Sequence, residues 1–109
     1  MYLGMTEEDY QNVQNETPKL VAKRLGITAD LSGAELDNAI KTRDEAAFLI
    51  LREFRSIYKK WWDKSKEFSP DSQPEKAEEL QCLMNSRNEI RTSLVSYLNG
   101  KYGKRHEPG

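Results

Sequence analysis

Chemistry has few places to reside in this chain of 109 residues. His106 is the only histidine and Cys82 the only cysteine. A Cys-His pair or a Ser-His-Asp triad needs its groups fixed within hydrogen-bond reach. His106 lies in a charged, Pro-Gly-ending stretch that reads as disordered, so it cannot supply that geometry. A helical di-iron centre needs Glu-x-x-His on facing helices, and no such pair occurs. Glu75, Glu78 and Glu79 fit the first turn of a helix, where free backbone N–H groups favour acids. The expectation is therefore a protein that is not an enzyme, with no catalytic residues, no metal site and no cofactor.

The remaining candidates are binding surfaces. Turned at about 100° per residue, the stretch from Ala46 to Phe68 places Arg52, Arg55, Lys59 and Lys66 within about 60° of one another. Phe48 falls on the same side, away from the main apolar stripe, and Leu49 is also off that stripe. Aromatic residues flanked by arginines are the composition of interface hot spots. Arginine also pairs bidentately with carboxylate or phosphate. Phe48, Leu49, Arg52, Arg55, Lys59 and Lys66 are thus the candidate partner-binding residues, and their charge asks for an acidic protein partner. The alternatives stay open. Asp63 stands within i,i+4 reach of Lys59, as on an ordinary solvated face. The N-terminal helices could cover Phe48 and Leu49, and the acids Glu7, Glu8 and Asp9 could occupy the basic side.

A second candidate is Leu20-Val21-Ala22-Lys23-Arg24-Leu25-Gly26-Ile27-Thr28, which resembles the first helix and turn of a helix-turn-helix. Over residues 18–41 that reading makes Lys19, Lys23, Arg24, Lys41 and Arg43 the nucleic-acid contacts. The pattern then departs, because the next cap comes only at Ser32. Glu35 and Asp37 also sit where phosphates would be repelled. The competing reading is a glycine-capped helix followed by another helix.

Arg87 and Arg91 fall inside the apolar stripe of the last predicted helix. Buried arginine needs a partner and long stems can snorkel to the edge, so either the second half of that helix is only half-covered or it meets acids such as Glu45 or Glu53. Cys82 falls on the opposite, polar side as an exposed thiol.

The elements that must position these residues read as helices throughout. Thr6 caps a first helix to about Asn15, with Tyr10 and Val13 inward. Thr17-Pro18 opens a second, Pro18 to Leu25, with Leu20, Val21 and Leu25 inward and Gly26 as its C′ residue. Ser32-Gly33-Ala34-Glu35 fits a capping box, followed by Leu36, Ala39 and Ile40 on the inner side. Thr42-Arg43-Asp44-Glu45 is a possible second box. Helical phase nevertheless carries from Leu36 and Ile40 to Phe54 and Trp61 without Gly or Pro, which favours one long helix from Gly33 to Phe68. Its core face is Ala47, Ile50, Leu51, Phe54, Ile57, Tyr58, Trp61, Trp62 and Phe68. Ser69 to Pro74 is a break. The last helix runs to Asn99 with Gly100 as C′, and its stripe is Ala77, Leu80, Leu83, Met84, Ile90, Leu94, Val95, Tyr97 and Leu98.

Charged residues make up 32% of the chain and apolar ones 37%, a balance suited to a small bundle whose helices are half wet. The net charge of −1 gives no global attraction to nucleic acid or membrane. The charge is nevertheless segregated: residues 1–16 carry four acids and no base, and residues 48–68 carry six bases and three acids. No run approaches the ~18 apolar residues of a membrane span. The start lacks a basic and then apolar leader. A single cysteine suits a reducing, cytoplasmic setting. The expected fold is all-α: one domain over residues 1–100, a long central helix antiparallel to a C-terminal helix, short N-terminal helices alongside, and a disordered tail at 101–109. The expected function is a small interaction module that binds another protein, as an adaptor, inhibitor or immunity-type factor. The alternative is a nucleic-acid-binding regulator.

Overall fold

The computed structural model describes residues 6–67 and 74–103. The expectations for Met1 to Met5, Phe68, the break at 69–73 and the stretch 104–109, His106 included, lie outside the described residues. Among the described residues there are four helices: α1 (Glu7–Arg24), α2 (Gly33–Arg43), α3 (Glu45–Glu67) and α4 (Glu75–Tyr102). The all-α bundle expected from the sequence is present. No described helix is long and apolar enough to cross a membrane.

α1 starts as its residues dictate. Thr6 Oγ1 accepts from the Asp9 N–H at 3.1 Å, and the Asp9 carboxylate answers the Thr6 N–H at 3.4 Å, closing a capping box. The break expected at Thr17-Pro18 does not occur, because one helix runs through both. The Thr17 hydroxyl turns back and donates to the Val13 carbonyl at 2.7 Å instead of capping forward. Pro18 is buried inside the helix. An interior proline costs ~3 kcal/mol, so this helix is held by tertiary burial of Tyr10, Val21 and Ala22. Leu25 is also buried, but Leu20, expected inward, is 55% exposed. The end is as read: Gly26 takes φ +82, the Ile27 N–H donates to Ala22 O at 2.9 Å and the Gly26 N–H to Lys23 O at 3.1 Å. These two bonds are the Schellman pattern.

Two further expectations are corrected. The Ser32 box does not close: Ser32 makes no side-chain cap bond, and Gly33 enters α2 at φ +57, outside the helical region a capped N1 residue adopts. The long helix from Gly33 to Phe68 is split at Asp44, whose φ −157 and ψ 95 are extended. Asp44 serves both sides of the split. Its N–H donates to Ile40 O at 2.8 Å, ending α2. Its Oδ1 accepts from the Ala47 N–H at 3.2 Å, starting α3. A short acidic side chain satisfies orphan N–H groups, and that local bond wins over continuous helical phase.

α3 presents the face read from its spacing: Ala47, Leu51, Phe54, Tyr58, Trp61 and Trp62 are buried, with Ile50 and Ile57 half-buried. α4 lies antiparallel to it, its start tied by Lys64 to Glu79 at 2.7 Å and its end by Tyr97 and Tyr102 to Asp44. On α4 only Leu80, Leu94 and Leu98 are buried, while Ala77 and Val95 of the expected stripe are exposed. α4 also continues through Gly100 to Tyr102, so Gly103 at φ +81, not Gly100, ends it. α1 packs on α2 and α3.

Candidate functional site

The predicted basic side of α3 is largely occupied by its own neighbours. Arg55 reaches Asp37 of α2 at 3.6 Å, and its carbonyl accepts from Gln14 Nε2 of α1 at 3.1 Å. Lys59 bonds Asp63 at 2.8 Å, and Lys66 stands 3.7 Å from the same carboxylate. The hydrogen bond between Lys59 and Asp63 pushes the lysine up and the aspartate down from their ordinary pKa values. The acids of the first turn, Glu7, Glu8 and Asp9, are exposed and Asp9 is used in the cap. The acid that a neighbouring helix brings to the basic side is therefore Asp37 of α2. Phe48 is half-buried against the core, with Lys41 and Arg52 each 5.9 Å from its ring centroid. Leu49 is 45% exposed, so the N-terminal helices do not cover it.

The residues of the helix-turn-helix reading lie on two helices, Lys19, Lys23 and Arg24 on α1 and Lys41 and Arg43 at the end of α2. Lys19 and Lys23 are exposed on α1. Arg24 is engaged: its Nη2 donates to Asn99 Oδ1 at 2.9 Å and to the Gly103 carbonyl at 2.8 Å. Lys41 lies over Phe48, and the Arg43 guanidinium stands 3.5 Å from the position a Cβ on Gly26 would take. The connector from Leu25 to Ser32 exceeds the ~3–4-residue turn of that motif.

Arg87 and Arg91 do not meet Glu45 or Glu53. The Arg87 guanidinium sits 4.6 Å from the Tyr58 ring centroid and 5.5 Å from that of Phe54. Cation–π contact replaces the expected ion pair. Burial pulls the Arg87 pKa down and pushes the Tyr58 hydroxyl up. Arg91 is exposed. Cys82 is an exposed thiol, as its place on the helical wheel indicated.

These two arginines border a groove of about 590 Å³ between α1 and α4, with Phe54 of α3 between the walls. α1 contributes Val13, Glu16, Thr17, Leu20, Val21 and Arg24. α4 contributes Arg87, Arg91, Leu94, Val95 and Leu98. Leu20 and Val95, among the most exposed large apolar side chains described, both line it. Its volume is in the range of ligand and peptide clefts. The sequence carried one signal for it. Leu20-Val21 and Leu94-Val95 are adjacent apolar pairs about 100° apart, and one helix contact cannot bury both members.

A second cluster missed in the sequence joins the end of α4 to the corner between α2 and α3. Asp44, with its side chain 2% exposed, accepts from the Tyr102 hydroxyl at 2.6 Å, and the Tyr97 hydroxyl lies 2.8 Å from both its oxygens. Lys101 Nζ stands 3.1 Å away. Burial alone would raise this carboxyl's pKa. Bonds from Tyr102, Tyr97, the Ala47 N–H and Lys101 outweigh it and hold the group far below the usual carboxylate range. Among the described residues no cluster of His, Cys, Asp and Glu could hold a metal ion.

No protein-family model matches the chain, and neither does any curated protein or any solved structure.

Proposed function

We propose that this chain is a non-enzymatic helical module that binds another protein, and that the partner docks in the groove between α1 and α4. The observation that carries this reading is the pair Leu20 and Val95, exposed by 55% and 45% in one groove with Phe54 between its walls. Exposed apolar side chains gathered in a concave, polar-rimmed site are the ordinary signature of an interaction surface. The basic side of α3, first choice from the sequence, supports the reading less well, because Asp37 and Asp63 already answer three of its four cations. A cytoplasmic setting is supported by the lone thiol of Cys82. The nucleic-acid reading keeps the exposed Lys19, Lys23, Lys41 and Arg43 in its favour, but Arg24 is engaged within the chain.

The test compares what the tagged protein retains from its host as wild type, as Leu20→Asp with Val95→Asp, and as Arg52→Glu with Lys59→Glu. All four positions are exposed, so both variants are expected to fold. The expected result is a specific protein held by the wild type and the α3 variant and lost by the groove variant. Loss confined to the α3 variant overturns the groove. Retention of nucleic acid that falls steeply with salt favours the alternative function.

A further inference from the structure

The groove carries more than apolar surface. Its lining holds three cations, Arg24, Arg87 and Arg91, against one acid, Glu16. None of the three arginines has a carboxylate within ion-pair distance among the described residues. Arg24 is spent on neutral oxygens of Asn99 and Gly103. Arg87 is held by rings and by Asn88 Oδ1 at 2.8 Å. Arg91 has no ion-pair or hydrogen-bond partner described and projects from the α4 wall.

We infer that the occupant of the groove is an amphipathic helix whose apolar face meets Leu20 and Val95 and whose flanking carboxylates pair with Arg91 and Arg87. The inference rests on the groove being the docking site. Charge complementarity selects the sign: a basic segment would face three guanidiniums, and like charges brought together exclude a partner. The shape selects a helix. The α1 wall from Val13 to Arg24 is about 16 Å long at 1.5 Å per residue, about three turns. Between two helices, a third presenting anchors at i, i+3, i+4 and i+7 fills such a cleft. Arginine, with its rigid fork, favours carboxylates held at fixed spacing along that helix.

The test uses two synthetic peptides of about 15 residues, long enough to form helix on binding. Both carry leucine at i, i+3, i+4 and i+7. One is flanked by glutamates, and in the other lysines replace them. Fluorescence anisotropy against the whole chain is expected to show the glutamate peptide bound at least ~10-fold tighter, with the margin shrinking as salt rises. Arg91→Glu, at an exposed position, is expected to abolish that preference, and Leu20→Asp to remove binding of both peptides. Equal binding of the two peptides, still lost in Leu20→Asp, overturns the acidic partner and leaves the groove. Failure of both peptides, while a host protein is retained through Leu20 and Val95, overturns the helical occupant alone. Self-association of the wild type in sedimentation that Leu20→Asp abolishes makes a second copy the occupant and overturns the proposal.

Discussion

The two ends of the bundle have cores of different chemistry. Where α3 ends and α4 begins, the core is aromatic: Tyr10, Tyr58, Trp61 and Trp62 with Leu80. Tyr10 stacks on Trp62 with centroids 4.6 Å apart and planes 6° from parallel, and Tyr58 stacks on Trp61 at 5.8 Å. At the other end the core is aliphatic, built from Val21, Leu25, Leu36, Ile40, Leu51, Leu94 and Leu98 on all four helices. A few large rings, each burying much area and favouring set geometries, suffice for three helices. Small aliphatic groups have no directional preference, and that end is aligned by a polar knot around Asp44. The helices are thus held on α3 by stacked rings from α1 at one end and by hydrogen bonds from α4 to Asp44 at the other.

The comparison can be broken at its strongest point first. Trp61→Ala should cost ~3–5 kcal/mol, the range for deleting a large aromatic from a core, measured by urea denaturation followed by circular dichroism. A loss below ~1 kcal/mol would mean that the aromatic end closes without its central ring. Next comes the knot. Asp44→Asn should cost about 2–3 kcal/mol at neutral pH, because bonds to a charged acceptor become bonds to a neutral one. The sign of the pH dependence follows from the depressed folded pKa. The carboxylate's contribution is fully present above the unfolded pKa of about 4 and is lost as pH falls below it toward the folded value. Wild type should therefore lose stability over that acid interval, and Asp44→Asn should lose less. Parallel pH profiles would remove Asp44 from the account. The smallest effect is expected on removing residues from Lys101 onward. About 1–2 kcal/mol should go with the Tyr102 and Lys101 bonds, read as a lower urea midpoint at constant slope. The expectation from sequence, a helix ending at Gly100 and a free tail, is a stability left nearly unchanged.

That contrast shows what was legible. The face of α3 was, because Leu51, Phe54, Tyr58 and Trp61 recur at helical spacing and large side chains leave few alternative faces. The Gly26 cap was, because a positive φ there has a residue-level signature. Pro18 was not: its local cost is real, but burial across α2 and α3 outweighs it, and burial is non-local. The corner at Asp44 was open to reading only in part. Its capping role is local, but its decisive partners, Tyr97 and Tyr102, lie 53 and 58 residues away. The groove escaped for a related reason. Leu20 and Val95 carry the residue types of a core, and only the separation of α1 from α4 leaves them in water.

One contact made by Arg24 reaches further than its two hydrogen bonds. It joins the end of α1 to Asn99 and Gly103 at the end of α4. Near the start of α1, Tyr10 is locked on Trp62 in the cluster that also holds Leu80 of α4. α1 is thereby pinned relative to α4 above and below the groove, and the opening between them is spanned like a bridge between two piers. A cleft whose width is set before anything enters it loses little conformational entropy when filled. The ordering cost of association then falls on the incoming chain, and the module itself acts as a rigid template.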